Sequence, residues 1–518
     1  MSAKHPLSRT QIEPAAGLAE ARTAWLDGRY AECLAQLDLT EPQRSHEHLE
    51  AALLRARVLL RTSDAAGAAE ALRGTDGYAR LDVDAADSIR TLRGIAKYRM
   101  GKREAGLALL SSPIAARDKY VIAERAYYHA LALWLARDLN AAEKVLAAAL
   151  DAQADVMYAR ALGLLGWIET SRGHYVLASR TFMDALAAGR SARHRDEHLL
   201  ASMLHVLAGF AFELLDVHLA RVVEREYEQV RWSEDLSVIH SYVLQARSSS
   251  ALLAGDPHRA WTLLGEALAV TSEQAPLIHA HVTFASLHRV MGDSFAPRQH
   301  LAAARALIGQ VVWSESTQDG RMALLEYAAE AARLNEGSAA QALMRYHSAR
   351  KAVDSLASLE ADPRAEALER HASALVARMN DKGATDQLRA TAGCWAKIGY
   401  HMRHGETLLD LHETQASADL LRQVAAIAKP VPRSWLNEEV KRRGLGSDKG
   451  SVLSAAERRV MAAICEGKSA RQIAGELGRS VSTINNQTRA IYDALGVRSR
   501  AALIANYGAQ AARSSATL

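Results

Sequence analysis

Apolar and polar positions along this 518-residue chain follow the period of an α-helix in short blocks, each closed by a turn that carries Gly or Asp. After each turn a second helix begins with a small residue on its inner face. The turns fall at Gly28, Asp64, Gly101, Asp138, Gly173, Asp216, Gly255 and Gly292. Their successive spacings are 36, 37, 37, 35, 43, 39 and 37 residues. One helix pair cannot bury its own apolar face, so this period predicts stacked pairs that share a core, an α-solenoid.

The register of the repeat loosens after Gly292, because Gly337 and Gly383 follow at spacings of 45 and 46 residues. The last three pairs are therefore expected to be longer or partly irregular. A single, non-repetitive helical domain is the alternative interpretation. Aromatic side chains of the array follow helical spacing, which favours core packing over a ligand cage. They include Trp25, Tyr98, Trp134, Trp167 and Trp261.

Composition agrees with a helical protein, since 49% of the residues are apolar, only 5% are aromatic and ten are proline. The three cysteines, Cys33, Cys394 and Cys465, are far apart and form no CxxC pair. They indicate neither a disulfide framework nor a zinc site. No apolar run approaches the roughly 18 to 20 residues of a spanning helix, and the N-terminus lacks a signal-peptide core. We expect a cytoplasmic protein that does not enter a membrane.

The segment Pro430–Arg433 closes the array, because proline stops a helix. A short helix over Ser434–Arg443 and a flexible linker over Gly444–Gly450 are expected next. The predicted organisation is a disordered N-terminus at 1–14, a helical repeat array at 15–430, a linker at 431–450, a C-terminal domain at 451–510 and a disordered tail at 511–518.

The C-terminal domain has the signals of several short helices. Ser454 and Glu457 form a capping box for the first, Gly467 ends it, and Ser469 caps the second. Gly478 supplies a tight turn, and Ser480 or Ser482 caps a third helix that Gly496 ends. A fourth helix, containing Ala502, Leu503 and Tyr507, starts at Ser499. Residues 451–518 carry a net charge of +5 and the other 450 residues carry −1. The basic character lies where a phosphate backbone would need it.

Apolar residues of the third helix, Ile484, Ile491 and Leu495, recur at helical spacing and are expected to pack inward. Hydrogen-bonding side chains then lie on its outer face: Asn485, Asn486, Gln487 and Arg489. Two short helices joined by a tight turn, the second presenting such side chains, are typical of a reader of the DNA major groove.

This tail resembles the LuxR/NarL/GerE-type helix-turn-helix family over Leu453 to Ala505. The matching residues are the opening Leu-Ser-x-x-Glu, Gly467, Ser469, Ile473-Ala474, Leu477, Ser480, Thr483-Ile484, Ile491, Leu495-Gly496-Val497, Arg500 and Ala502. The array in turn resembles tetratricopeptide repeats. The expected fold is therefore all-α: a tetratricopeptide-like α-solenoid followed by a small four-helix LuxR-type helix-turn-helix domain.

The resemblance implies that the third helix enters the major groove. Asn485, Asn486, Arg489 and Gln487 would then contact base edges, since Asn pairs with adenine and Arg with guanine. The residues that would contact phosphates, and so fix the register of the protein on the DNA, are Ser469, Arg471, Ser482, Thr483 and Arg500. Ala456 and Arg459 depart from the family pattern, as do Asn485 and Gln487, which stand where the family often has lysine and histidine. These departures are expected to change sequence preference more than fold.

We therefore expect a bacterial transcription regulator whose partner is double-stranded DNA. By the same resemblance it binds inverted-repeat sites as a homodimer through its fourth helix and activates by contacting RNA polymerase. The array would bind an effector (a peptide, protein or small molecule) or self-associate. A protein-interaction scaffold, in which the array is the main function and DNA binding is secondary, is the alternative.

Two short motifs suggest other chemistry and are set aside. Gly467-Lys468-Ser469 resembles the end of a phosphate-binding loop, but Ala462 stands where that loop needs glycine. His194-Arg195-Asp196-Glu197-His198 has the spacing of a zinc-peptidase motif. It lies in a charged inter-repeat stretch, with no further carboxylate ligand singled out. No enzyme activity, cofactor or metal is expected.

Overall fold

The computed structural model describes residues 16–42, 44–75, 77, 82–293, 295–311, 318–354, 363–380, 383–452, 455–495, 497 and 499–504. These residues form 26 α-helices and a 3-10 helix, without a strand among them. The all-α prediction is confirmed. The segments 1–14 and 511–518, predicted to be disordered, lie outside the described residues. The chain divides into two compact units, Met1–Asp410 and Leu411–Leu518. The finer boundaries at 15–430, 431–450 and 451–510 remain predictions.

The first unit is a series of helix pairs. Its helices are α1 (Ala16–Leu26), α2 (Tyr30–Leu39), α3 (Ser45–Arg61), α4 (Ala65–Ala71), α5 (Val83–Arg99), α6 (Arg103–Ser111), α7 (Lys119–Leu135), α8 (Leu139–Ala152), α9 (Val156–Ser171), α10 (Tyr175–Ser191), α11 (Glu197–Glu213), α12 (Val217–Tyr227), α13 (Ser237–Leu253), α14 (Pro257–Ala269), α15 (Gln274–Val290), α16 (Ala296–Ile308), α17 (Gln318–Arg333), α18 (Ser338–Asp354), α19 (Pro363–Met379), α20 (Ala384–Ile398) and most of α21 (His401–Thr414). The two-helix repeat predicted from the periodicity is confirmed.

Most helix pairs turn at one left-handed residue, where the chain reverses from one helix to the next. These residues are Gly28, Ser63, Gly101, Arg137, Gly173, Leu215, Gly255, Gly292 and Asn335. In several turns the next residue is an aspartate that caps the following helix; Asp138 accepts from the Ala141 amide at 3.0 Å. Glycine and aspartate in the sequence landmarks therefore mark two neighbouring positions of one turn. At Ser63, Arg137 and Leu215, where glycine is missing, the aspartate cap follows directly.

In the turn between α17 and α18 the left-handed residue is Asn335, because asparagine tolerates this backbone conformation better than most residues. One sequence interpretation needs correction. Trp261 was expected in the core, yet 52% of it is exposed. It lies on α14, whose buried face is formed by other residues, and it touches the ring of Phe284 only edge-on.

Small residues let paired helices approach closely. The backbones of α5 and α6 meet at Gly94 and Gly106: a Cβ atom on Gly106 would lie 2.7 Å from both the Gly94 carbonyl oxygen and the Tyr98 nitrogen. Backbone atoms cannot give way as a flexible side chain can. These two glycines therefore set the separation of this helix pair.

Buried ion pairs in the first unit join helices far apart in the chain. Arg57 on α3 donates from Nε and Nη2 to the two carboxylate oxygens of Glu124 on α7, both at 2.8 Å. Arg160 on α9 donates from Nη2 to Asp196, the N-cap of α11, at 2.6 Å. Although burial opposes ionisation, Arg160 helps to lower the pKa of Asp196 to about 2. Both carboxylates are almost fully buried.

A second set of buried charges centres on Arg403 of α21. Its Nε donates to Glu213 of α11 at 2.9 Å, and its Nη2 donates to Glu326 of α17 at 2.6 Å. His279 of α15 lies 2.7 Å from the other oxygen of Glu326. Close by, Asp410 accepts from Arg333 at 2.8 Å and lies 2.9 Å from His371 Nε2. These contacts, like the first set, had no signal in the sequence.

The second unit contains the end of α21 and five further helices. They are α22 (Ala418–Ile427), α23 (Trp435–Val452), α24 (Ala455–Cys465), α25 (Ala470–Glu476) and α26 (Val481–Leu495). The prolines at Pro430 and Pro432 follow the end of α22, as predicted. The backbone of α23 is helical beyond Arg443 and through Gly444–Gly450, where the sequence suggested an irregular linker.

Replacing Gly106 by alanine is expected to lower the free energy of unfolding by about 1–3 kcal/mol, because the added methyl group forces α5 and α6 apart. The matched control is Gly265→Ala in α14, where an added Cβ atom has nothing within 4 Å. There alanine should stabilise by about 0.5–1 kcal/mol, since glycine is unfavourable inside a helix. Chemical unfolding followed by circular dichroism measures both. Equal effects of the two substitutions would contradict the close approach.

Glu213 and Glu326 should affect stability with opposite dependence on pH. Burial, reinforced by Glu406 and Glu326, raises the pKa of Glu213 from 4.5 to about 7, so the folded state binds its proton more tightly than the unfolded state does. Stability is therefore lost as pH rises from about 4.5 to 7. Glu213→Gln should remove that loss, a relative gain of about 3 kcal/mol at pH 8 over pH 4.

Glu326 is the contrasting carboxylate on the same arginine. Burial opposes its ionisation, but His279 and Arg403 lower the pKa of Glu326 from 4.5 to about 2. Its contribution is present above pH 4.5 and is lost as pH falls toward 2. Glu326→Gln should therefore destabilise at neutral pH. Unfolding curves of Glu326→Gln between pH 2 and 7 and of Glu213→Gln between pH 4 and 8 test this, and the same direction of pH dependence in both variants would refute the assigned charge states.

Candidate nucleic-acid interface

A small apolar core holds the last helices of the chain together. Its members, all buried, are Val460, Ala463, Ile464, Ile473, Ala474, Ile484, Ile491, Val497 and Leu503. They come from α24, α25, α26 and the segment after α26, of which residues 500–504 are helical. Because Ile484 and Ile491 are both fully buried, the face of α26 that packs inward is the one predicted.

Caps and left-handed glycines define the turn between α25 and α26. Ser469 accepts from the Gln472 amide, and the Gln472 side chain accepts from the Ser469 amide at 2.8 Å, a complete capping box. Gly467 and Gly478 have positive φ on either side of α25. Ser480 accepts from the Thr483 amide at 3.1 Å, so Ser480 and not Ser482 caps α26. The predicted Ser454 cap lies outside the described residues.

The outer face of α26 carries the predicted base-contacting residues. Asn485, Asn486 and Arg489 are exposed, and Ser482 is exposed one turn before Asn486. Residues three and four apart line up on a helix surface, so these side chains form one polar stripe. Gln487 is half-buried and lies toward the edge of the stripe. It is the least accessible of the four residues predicted to read bases.

The residues predicted to hold phosphates are in different situations. Arg471 and Ser482 are exposed, and Arg471 has no ion pair among the described residues. The hydroxyl groups of Thr483 and Ser480 lie 2.7 Å apart, and the Ser469 hydroxyl belongs to the capping box. Lys468, a further cation, is bonded to Glu466 and Glu476 at 2.9 and 2.7 Å.

Arg500 has a structural contact that the sequence did not indicate. Its Nη2 donates to the carbonyl oxygens of Ile464 and Lys468, at 3.2 and 2.7 Å. The Ile464 carbonyl oxygen, which also accepts from the Gly467 amide at 3.0 Å, lies at the end of α24, and the Lys468 carbonyl group lies in the turn after it. A phosphate contact by the remaining N–H groups of Arg500 stays a prediction.

Arg479 is a candidate that the sequence analysis overlooked. It is exposed and lies between Gly478 and Ser480, directly before α26, and no described residue forms an ion pair with it. The N-terminus of a helix favours anions, so a cation beside it adds to a phosphate-binding surface. The signal was present in the sequence as a basic residue within the turn of the helix-turn-helix.

The geometry defines a class of protein: two short helices around a tight turn, with an exposed polar stripe on the second, form a helix-turn-helix DNA-binding domain. Residues 451–506 match the family of bacterial regulatory proteins described as the luxR family, or GerE. The chain thus carries a luxR-family domain. At the coarse level it is a DNA-binding transcription regulator in which a series of helix pairs precedes the DNA-binding domain along the chain.

Solved structures resemble the helical part only loosely. The crystal structure of a Rap protein complexed with competence and sporulation factor is 12% identical and covers 66% of this chain and 98% of its own, with a TM-score of 0.40. The APC/C hetero-tetramer Cut9-Hcn1 is 13% identical and covers 82% and 95%, with a TM-score of 0.28. No curated protein matches the sequence. The repeat architecture therefore rests on the helix pairs described above.

The described helices include none with the length and apolar content that crossing a bilayer requires. The described residues also hold no group of three or more potential metal ligands. In the segment that resembled a zinc-peptidase motif, Asp196 caps α11 and pairs with Arg160. The burial of His198, with the nearby Arg61, lowers its pKa to about 4.

Arg500→Gln is expected to lower the free energy of unfolding of the second unit by about 1–3 kcal/mol, because two carbonyl groups lose a charged donor. Arg489→Gln is the matched control: Arg489 is exposed on α26, so the change should stay within about 0.5 kcal/mol. Thermal unfolding of the full chain measures both. If the stability of the Arg500 variant is unchanged, the hydrogen bonds from Arg500 to the two carbonyl groups contribute nothing to the stability of the second unit.

Proposed function

We propose that this protein binds inverted-repeat promoter sites as a homodimer and activates transcription, with the helical array controlling when two DNA-binding domains are presented together. The observation that carries the proposal is the exposed polar stripe of α26 over a complete apolar core. A helix held in this way can enter the major groove without losing its packing. A regulator that works on chromosomal DNA of a bacterium acts in the cytoplasm.

Base reading is assigned to the exposed stripe. Arg489 can bond guanine O6 and N7 through two N–H groups, and Asn485 or Asn486 can bond adenine N6 and N7. Gln487 is kept as a peripheral contact because it is half-buried. The stripe therefore favours sites that contain both guanine and adenine in each half.

Register on the DNA is assigned to the groups around the turn. Arg471 is an exposed cation in the first turn of α25, Arg479 is an exposed cation after its end, and Ser482 is exposed in the first turn of α26. Ser469 and Thr483 can add hydrogen bonds where their hydroxyl groups rotate toward a phosphate. Among these phosphate contacts Arg500 is the least favoured, because its guanidinium group is already bonded to two carbonyl oxygens. Such contacts carry affinity without sequence information.

The array is proposed to act as the sensor, the partner-binding module or the oligomerisation module. If it brings two chains together, the second DNA half-site is bound at a raised effective concentration, which is sufficient for a switch. RNA polymerase is the proposed partner of the DNA-bound dimer. The second candidate function, a protein-interaction scaffold with secondary DNA binding, is favoured by the size of the array, which spans most of the chain.

The test is a pull-down of genomic fragments at physiological salt with wild type, Arg489→Ala and Arg471→Ala. Arg489→Ala should cost about 1–3 kcal/mol of specific binding and relax selectivity at one position. Arg471→Ala should weaken binding to all sequences alike and lower the salt slope by about one unit. Binding curves on the recovered site measure both effects.

Enrichment of one inverted repeat, lost in the Arg489 variant, would support the proposed regulator. Identical, non-selective recovery from wild type and Arg489→Ala would contradict it and favour the scaffold. If neither substitution changes binding to the recovered DNA, then α26 is not the element in the groove.

A further inference from the structure

Two histidine side chains meet through their ring nitrogens between α15 and α16 of the first unit. The Nδ1 atom of His281 on α15 lies 3.1 Å from the Nδ1 atom of His300 on α16. The ring centres are 5.4 Å apart, so the rings meet by their nitrogen-bearing edges rather than by stacking. Both side chains are half-buried, which leaves the pair within reach of solvent.

The contact between the two Nδ1 atoms depends on where each ring carries its proton. One neutral imidazole can donate from Nδ1 while the other accepts there, which gives an ordinary hydrogen bond. Among the described residues, however, neither His281 nor His300 has a hydrogen-bond partner at Nε2. No outer contact therefore fixes the tautomer. Each ring can hold its proton on Nε2 and present the lone pair of Nδ1 to the other ring.

Both rings are in the protonation state that a metal ion requires. Burial lowers the pKa of His281 below its usual 6.5. Burial, with the nearby His281 and His288, lowers the pKa of His300 to about 4. The two imidazoles are therefore neutral at pH 7. Neutral imidazole binds zinc, copper and nickel ions, whereas hard cations such as Mg²⁺ prefer oxygen ligands.

The distance between the two nitrogen atoms is close to one edge of a tetrahedral metal site. With zinc–nitrogen bonds of about 2.0–2.1 Å, two ligand nitrogens of such a site lie about 3.3 Å apart. The 3.1 Å between His281 and His300 is only slightly shorter. The described residues offer no group of three or more metal ligands, so the site has two protein ligands, and water or a small ligand completes the coordination.

Neighbouring rings hold His300 in its orientation. Phe284 of α15 stacks on His300, with ring centres 4.5 Å apart and an angle of 7° between the planes. The ring of His288 is also nearly parallel to that of His300, at 5.5 Å and 21°. This packing restricts rotation of the His300 ring. A ligand that is already oriented loses less entropy when it binds.

We propose that His281 and His300 form a two-histidine binding site for a divalent transition-metal ion of the zinc, copper or nickel type, bound through both Nδ1 atoms. The site belongs to the helical array, and taking the ion as the effector of the array is the part that rests on the proposed function. Binding of the ion requires no DNA. Failure of the metal site and failure of DNA recognition can therefore be told apart.

The test is isothermal titration calorimetry of the full chain, without DNA, with zinc chloride at neutral pH in a buffer that does not bind metal. Wild type should bind one Zn²⁺ ion that the variants below bind at least tenfold more weakly. Magnesium chloride is the comparison, because a site of two imidazoles should not hold a hard cation.

His281→Asn and His300→Asn each remove one of the two ligands. His258→Asn is the matched control, because His258 is an exposed histidine on the neighbouring helix α14, and zinc binding should not change. Circular dichroism establishes that each variant folds. If His300→Asn does not fold for want of its stacking on Phe284, His281→Asn decides.

Three results would overturn the proposal. Wild type may bind no Zn²⁺, or the deciding variant may bind as much Zn²⁺ as wild type and as tightly, which means adventitious binding at other histidines only. The third result is Mg²⁺ binding to wild type that the deciding variant loses, because the ligands would then not act as imidazoles do.

Discussion

Pairing of buried arginines with carboxylates is the constraint on which the first unit depends. Its helices pack through alanine and leucine side chains. Apolar contacts of this kind are compatible with many positions of one helix relative to the next. The buried charges accept few: Glu124 needs Arg57, and Glu326 needs Arg403. Removing one partner of such a pair typically costs about 3–5 kcal/mol, because the other charge stays buried. The ion pairs thus select one arrangement among those that apolar packing would allow.

How much of the fold the sequence predicts depends on how far apart along the chain the contacting residues are. The helix pairs and their turns depend on neighbouring residues, and periodicity found them. The left-handed turn at Asn335 was not anticipated, because the landmarks along the chain were chosen at glycine and aspartate. The sequence gives no sign of the buried charge clusters, because Arg57 and Glu124 are 67 residues apart and each resembles an ordinary solvated side chain.

The same rule explains the DNA-binding domain. Capping by Ser469 and the inward face of α26 are local, so the sequence was sufficient to orient Asn485, Asn486 and Arg489 outward. The contact of Arg500 with the Lys468 carbonyl spans 32 residues, and no spacing rule reveals it. Arg479 could have been found, since a cation directly before a recognition helix is a local feature. The roles of these residues on DNA follow from chemistry that only a complex displays.

The contacts between distant pairs also change how the first unit folds. In an open array each repeat touches only its neighbours, so stability adds up along the chain and folding can start anywhere. Here Arg403 holds Glu213, 190 residues earlier, and Tyr30 meets Asp196, 166 residues later. Such long-range closure raises contact order and slows folding. It also makes the unit indivisible: shortening it from either end removes counter-charges from helices that remain, and the loss extends well beyond the deleted pair.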